Sequence, residues 1–325
     1  MKVLSGLIFF LAISLLPAAG DPLPSWNDTA SKASIVAFVE KVSDPQSPDY
    51  VPQELRIATF DNDGTLWSEK PLYFQALYAF DRLQEKAKAD PGILTSDVLK
   101  AAAAGDMKGA MAGGDKGLID IVNVSHSGLT VEDFETDVKT WLTTATHPTS
   151  GRIYADMIYQ PMVELLAYLR DRGFSTYIVS GGGVHFIRAI SQEAYNVPPQ
   201  QVVGSEGATN YSLVDGKPTL MKEGGLQFLD DKAGKPVGID RHIGRRPIFV
   251  AGNSDGDLQM LEWATAGEGP RLGLFVHHTD AKREFAYDRD SSVGRLSDGL
   301  DAAGGKGWLL VDMAKDWAVI WPGKQ

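Results

Sequence analysis

Short apolar runs punctuate this chain, each ending on polar or glycine-rich residues: Ile57-Ala58-Thr59-Phe60, Tyr177-Ile178-Val179, Ile248-Phe249-Val250-Ala251 and Leu272–Val276. Runs of this length without polar alternation predict strands buried on both faces, as in a parallel sheet. Stretches of helical period separate them. Lys32–Val42 is amphipathic. After Pro161, a residue suited to a first helical position, Val163, Leu165, Leu166 and Leu169 form an apolar stripe that Gly173 closes. Val184–Tyr195 and Leu258–Trp263 predict further helices, and Trp308–Val311 a late strand. The strand–helix alternation breaks between Leu66 and about Gly151, where Leu72–Lys88, Ser96–Met111 and Val131–Thr144 all read as helices. Thr130 opens the last of these as N-cap, with Asp133 at the acidic third position. No βαβ pattern interrupts this stretch, which predicts a helical insert. Residues 200–235 are richer in glycine and β-formers, and Val214-Asp215-Gly216-Lys217 predicts a hairpin turn.

At 325 residues the chain accommodates one large domain or two ordinary ones. A hydrophobic fraction of 43%, with seven Trp and thirteen Phe, supplies ample core material. The net charge of −11 argues against a general nucleic-acid binder, which needs clustered Lys and Arg to displace counterions. It does not forbid an anionic ligand, because a metal and a few local cations can dominate a pocket. Zero cysteine excludes disulfides, thiolate metal sites and cysteine nucleophiles. At the start, Lys2, the apolar stretch Val3–Leu16 and the small residues up to Gly20 have the pattern of a secretory signal peptide over residues 1–20. The stretch is shorter than the ~20 apolar residues of a spanning helix, so cleavage before Asp21 is expected, with no stable membrane anchor. A mature chain without cysteine fits a periplasmic location, or secretion.

The candidate chemistry lies where the first strand stops. Asp61 and Asp63 follow Phe60 with one residue between them, and Gly64 turns the chain away. Ligands of open α/β sheets bind beyond the carboxyl ends of such strands. Two crowded carboxylates repel unless a cation or a shared proton offsets the charge, and oxygen-only ligation suits a hard ion such as Mg2+. Asp-Asn-Asp-Gly is also good turn chemistry, so this pair alone leaves a solvated turn open.

The run Asp61-x-Asp63-Gly64-Thr65 resembles motif I of the haloacid dehalogenase superfamily, and the other motifs follow in order between residues 55 and 262. Ser180 after Tyr177-Ile178-Val179 looks like the motif II serine. Lys235 at the head of a helix looks like the motif III lysine, with Lys222 and Lys232 as neighbouring alternatives. Gly252-Asn253-Ser254-Asp255-Gly256-Asp257 looks like the acidic motif IV, except that Asn253 stands where aspartate is usual. The resemblance implies a doubly wound, Rossmann-like α/β core over residues 21–68 and 152–325. A helical cap over residues 69–151 would be inserted between motifs I and II, as in phosphoserine phosphatases. Residues 180–235 are too few for a second full cap.

By the same resemblance, Asp61 would be the nucleophile that forms an aspartyl-phosphate, Asp63 the acid and base, and Lys235 the neutralising cation. Thr65, Ser180, Gly181 and Glu69 fall on the phosphate and substrate side, Thr65 fixing its loop through the hydroxyl. Mg2+ would be bound by Asp61 and Asp63 with Asn253, Asp255 and Asp257; Asp257 matches the motif's second acid, and Asn253 or Asp255 the direct ligand. Trp67, Glu69 and Tyr73, in a flap after motif I, would read the leaving group, together with cap groups such as His126. His147 lies in the same insert, and the adjacent His277 and His278 point to opposite faces, as structural residues would. The implied activity is Mg2+-dependent hydrolysis of small phosphomonoesters. A phosphotransferase, or a phosphate-binding module weakened by Asn253, would carry the same motifs. No feature of the sequence sets the oligomeric state.

Overall fold

A computed structural model describes residues 20–323, so the expected signal peptide lies outside the described residues but for Gly20. Seven strands, β1 (Ile57–Phe60), β2 (Ser175–Gly183), β3 (Val202–Val214), β4 (Lys217–Phe228), β5 (Phe249–Gly252), β6 (Leu272–His277) and β7 (Leu309–Asp312), form one sheet. Their order is β4-β3-β2-β1-β5-β6-β7, and every pair is parallel except the β3–β4 hairpin at the edge. The helices of five or more residues are α1 (Ala30–Ser43), α2 (Phe74–Ala89), α3 (Asp97–Ala103), α4 (Met107–Met111), α5 (Gly114–His126), α6 (Val131–Thr144), α7 (Gln160–Asp171), α8 (Val184–Tyr195), α9 (Gly234–Ile243), α10 (Leu258–Thr265) and α11 (Asp298–Lys306).

The apolar runs do not alternate because helices cover both faces of the sheet. Ile178, Val202, Phe249 and Leu274 pack into a core shared with α1, α7 and α8. Their neighbours Val179, Val203, Val250 and Phe275 pack against α9, α10 and α11. This is the doubly wound fold expected from the sequence. The chain builds outward from β1 through β2 and β3, then crosses to β5, β6 and β7 on the other side. The crevice beyond the carboxyl ends of β1, β2 and β5 is therefore the switch point at which such sheets bind ligands.

Between β1 and α7 the described residues contain helices α2 to α6 and no strand of the sheet. Val131–Thr144 forms as predicted, with Asp133 N–H donating to the Thr130 hydroxyl at 2.9 Å. The single helix predicted over Ser96–Met111 is two. Gly105 turns left-handed at φ +74°, and the Asp106 carboxylate then caps α4 by accepting from Gly109 N–H. Helix α5 escaped the sequence reading because its first turn is rich in glycine, which disfavours helix in isolation. Packing supplies the missing stability: a Cβ on Gly117 would lie 3.2 Å from Val98 of α3, so the small residue lets two helices approach.

The β3–β4 hairpin turns at Asp215 and Gly216, both at positive φ as a two-residue turn requires. It reaches the insert, where Gly128 N–H donates to Lys222 O and Lys222 N–H to Leu129 O, each at 2.9 Å. No helix among the described residues is long and apolar enough to cross a membrane.

Candidate active site

Strand β1 delivers Asp61 to the crevice, and α9 delivers Lys235 beneath it. The Lys235 ammonium is 2% exposed and donates to Asp61 Oδ1 and Asp257 Oδ1, both at 2.6 Å, and to Val179 O at 2.9 Å. Burial pulls this lysine's pKa down, and the two carboxylates more than reverse that, holding it above its ordinary value. Burial and then the Asp257 charge push Asp61 well above the usual carboxylate range, against the pull of Lys235. Asp257 Oδ2 accepts from the N–H groups of Asn253 and Ser254 at 3.0 and 3.1 Å, which pins the loop after β5 to the same ammonium. Lys232, at φ +53°, is exposed. Lys222 stands on β4 beside His185. Of the three lysines considered, the structure brings Lys235 to Asp61.

Asp63 and Ser180 line the same cavity. Its Oδ1 accepts from the Trp67 indole at 2.8 Å, and a Cβ on Gly182 would lie 3.4 Å from Oδ2. Burial raises the Asp63 carboxyl to about 6, with the indole bond opposing. Trp67 is itself buried, so it positions the acid and does not read a leaving group. Ser180 Oγ accepts from Gly182 N–H at 3.1 Å, and Ser180 and Gly181 both line the cavity. Gln75 of α2 ties this wall to the insert, its Oε1 accepting from Gly183 N–H at 2.7 Å. Its amide nitrogen therefore donates to His126 Nε2 at 3.1 Å, which leaves the His126 proton on Nδ1, 2.7 Å from Ser125 Oγ. His126 thus lines the cavity with both ring nitrogens engaged within the protein. His147 is likewise occupied, by Lys70 O on one side and Ser150 on the other.

The turn after Asp61 carries the largest departure from the sequence reading. Gly64 has φ +71°, and a Cβ there would come within 2.1 Å of Asn253 Nδ2. Asn253 Nδ2 donates to Glu69 Oε1 at 2.6 Å, and Asn253 Oδ1 accepts from the Thr65 hydroxyl at 3.2 Å. Glu69 Oε1 also accepts from Tyr287 OH at 2.7 Å. Thr65 therefore holds the motif IV loop and not a phosphate. Glu69 reaches the cavity wall but is committed to Asn253, so it sets a carboxyl beside residue 253, where an aspartate is usual. Burial raises the Glu69 carboxyl to about 7, with the His278 charge opposing. Asp255 is turned elsewhere, its Oδ1 accepting from Ser297 and Gly299 N–H at 2.9 and 3.0 Å. Neither Asn253 nor Asp255 lines the cavity, whereas Asp257 does. His278, buried at the end of β6, has Nε2 2.8 Å from Gly64 O, with Glu284 3.3 Å from Nδ1. It supports the Asp61 turn, a role that no local sequence pattern signals.

Asp61, Asp63 and Asp257 outnumber Lys235 in one buried, oxygen-rich cluster, an excess of negative charge that a divalent cation would offset. Among the described residues no three acidic or histidine side chains converge as a ready-made chelate. Mg2+, which keeps several waters and takes one or two carboxylates plus a substrate phosphate, does not require such a chelate. The cluster opens on a cavity of about 270 Å³ lined by the loop after β1, by β2 and β4, and by α2, α5, α6 and α8.

The sequence matches the haloacid dehalogenase-like hydrolases over residues 58–262, a span from within β1 to within α10. The chain belongs to that family. No curated protein matches it. Among solved structures it is similar to a conserved protein of unknown function from Anaerococcus prevotii, at 16% identity and a TM-score of 0.52 over 77% of this chain and 86% of that one. A protein of unknown function from Bordetella pertussis aligns at 16% identity and a TM-score of 0.49, over 79% and 98% of the two chains. A phosphoserine phosphohydrolase-like protein from Francisella tularensis aligns at 18% identity and a TM-score of 0.37, over 68% and 87%. At such identities the likeness to the first is one of fold.

In this hydrolase the Asn253–Glu69 bond predicts the result of restoring the usual aspartate. Asn253→Asp would set a second carboxyl 2.6 Å from Glu69 Oε1, leaving one proton to bridge the pair or, at alkaline pH, none. At a pH above the raised Glu69 value of about 7, the metal-free protein is expected to lose about 2 kcal/mol or more in urea unfolding, and Asn253→Asp/Glu69→Gln to recover most of it. An Asn253→Asp protein as stable as wild type would show that Glu69 is free to move away.

Proposed function

We propose that this protein hydrolyses small phosphomonoesters with Mg2+, through an aspartyl-phosphate on Asp61. The observation that carries the proposal is the Lys235 ammonium bound at 2.6 Å to the Asp61 carboxylate, with Asp63 facing the Ser180–Gly182 wall across one cavity. Asp61 attacks phosphorus as the bond to the leaving oxygen breaks, and Asp63 gives that oxygen its proton. Asp63 then takes a proton from water, whose oxygen attacks phosphorus and releases Asp61. A carboxyl raised to about 6 suits both transfers near neutral pH. Lys235 stays charged throughout and offsets charge on the nucleophile and the phosphoryl group. Bound Mg2+, held by Asp61 and Asp63, supplies further neutralisation of that charge.

The helices α5 and α6 and the β3–β4 hairpin act as the cap in this proposal, excluding water and large substrates. Export from the cytoplasm is part of the same reading, on the strength of residues 1–20. From Asp21 onward the chain is tied to the core, Asp21 by a 2.6 Å ion pair to Lys32 and Ser25 by a hydrogen bond to Glu164.

Phosphate release from a panel of small phosphomonoesters is expected with Mg2+, to vanish in chelator and to return when Mg2+ is restored. Undiminished release in chelator would remove the metal from the mechanism. Ligand binding without release from any ester would make the protein a phosphate-binding module instead.

A further inference from the structure

A second buried cation lines the cavity. Lys222 of β4 is 8% exposed, its Nζ 3.3 Å from His185 Nδ1 and 4.3 Å from the centre of the Phe134 ring. The described chain buries three lysines. Lys32 pairs with Asp21 and Asp28, and Lys235 with Asp61 and Asp257. Among the described residues Lys222 makes no ion pair; Glu135 acts on it only from beyond contact distance. Burial lowers its pKa to about 8, so it is still mostly protonated at pH 7. An unpaired buried charge is costly to keep, and here it lines the same cavity as Asp61 and Ser180. Apolar Val122 and Leu226 line the cavity as well. His126 offers no competing charge, since burial holds its pKa well below the usual histidine range.

We propose that Lys222 binds a second anionic group on the leaving side of the substrate. On the phosphatase reading, which this inference rests on, the substrate class is then a phosphomonoester that also carries a carboxylate or a second phosphate. A charge-assisted hydrogen bond from Lys222 Nζ would hold that group and relieve the cost of the unpaired ammonium.

Calorimetric titration of the full mature protein with Mg2+ tests this without turnover. The probes are straight-chain alkylphosphonates of increasing length, and the same chains ended by a carboxylate or by a second phosphonate; the P–C bond withstands ester hydrolysis. At one chain length an anion-ended probe is expected to bind roughly tenfold tighter than its plain counterpart. Lys222→Met should erase that ratio and Lys222→Arg keep most of it. An advantage confined to the carboxylate or to the phosphonate names which anion the site takes. No advantage at any length in the wild type, or one that survives Lys222→Met, overturns the proposal. If the matching phosphate esters are not hydrolysed while the advantage persists, the phosphatase reading fails and the anion site stands.

Discussion

Asp61→Asn is expected to lower kcat on the best phosphomonoester by on the order of 10⁴-fold or more, the scale seen when a covalent nucleophile is removed, while leaving the fold intact. The amide keeps the side chain's shape and an oxygen for Lys235, but removes the attacking charge. The same substitution is expected to stabilise the protein in chelator, because burial and the Asp257 charge oppose ionisation of Asp61. A carboxyl whose pKa is raised on folding costs stability once pH passes its unfolded value, and nothing below it. The advantage of Asp61→Asn should therefore be absent below the ordinary 3.8 and open as pH rises through the window up to the raised pKa. Phosphate release and thermal melts across pH check the two halves. Substantial turnover, under conditions that exclude deamidation, would sink the aspartyl-phosphate mechanism. A variant less stable than wild type in chelator would sink the account of the charge cluster.

Lys235→Met should have the largest effect on stability. It strands the Asp61 and Asp257 carboxylates in a site where the lysine itself is 2% exposed. Breaking such a buried network from one side costs about 3–5 kcal/mol. Urea unfolding in chelator measures it. Lys235→Met/Asp257→Asn should recover part of the loss, because one stranded charge is gone while Oδ1 of the new amide can still accept the N–H groups of Asn253 and Ser254. Added Mg2+ should also narrow the gap, by offsetting the same carboxylates. A cost below about 1 kcal/mol would mean that water reaches the cluster and that Lys235 is not its main counter-charge.

Glu69 and Lys222 change most between sequence and structure. As a flap residue Glu69 invites a role in substrate recognition, yet its carboxylate is bound to Asn253 and Tyr287. Lys222 is by sequence position a rival to Lys235, and in the structure it lines the cavity beside His185 instead of meeting Asp61. Both reversals depend on contacts between residues far apart in the chain. So does the support that His278 gives to Gly64, across 214 positions.

The strand–helix alternation is legible in the sequence, and so, through the family resemblance of its motifs, are the doubly wound core and the candidates Asp61, Asp63, Ser180 and Asp257. Those features are local: a short apolar run ending in acids or glycine specifies a buried parallel strand and the loop beyond it. The helix Val131–Thr144 was legible for the same reason, since its cap and its period lie within fifteen residues of one another. Tertiary structure alone decided which lysine meets Asp61, where Asp255 and Glu69 point, and that helix α5 and the hairpin share one cavity with the acids. Each of those outcomes is set by how charge and volume are satisfied across elements. A buried carboxylate takes whichever donor the packing brings within about 3 Å, and no spacing along the chain records that distance.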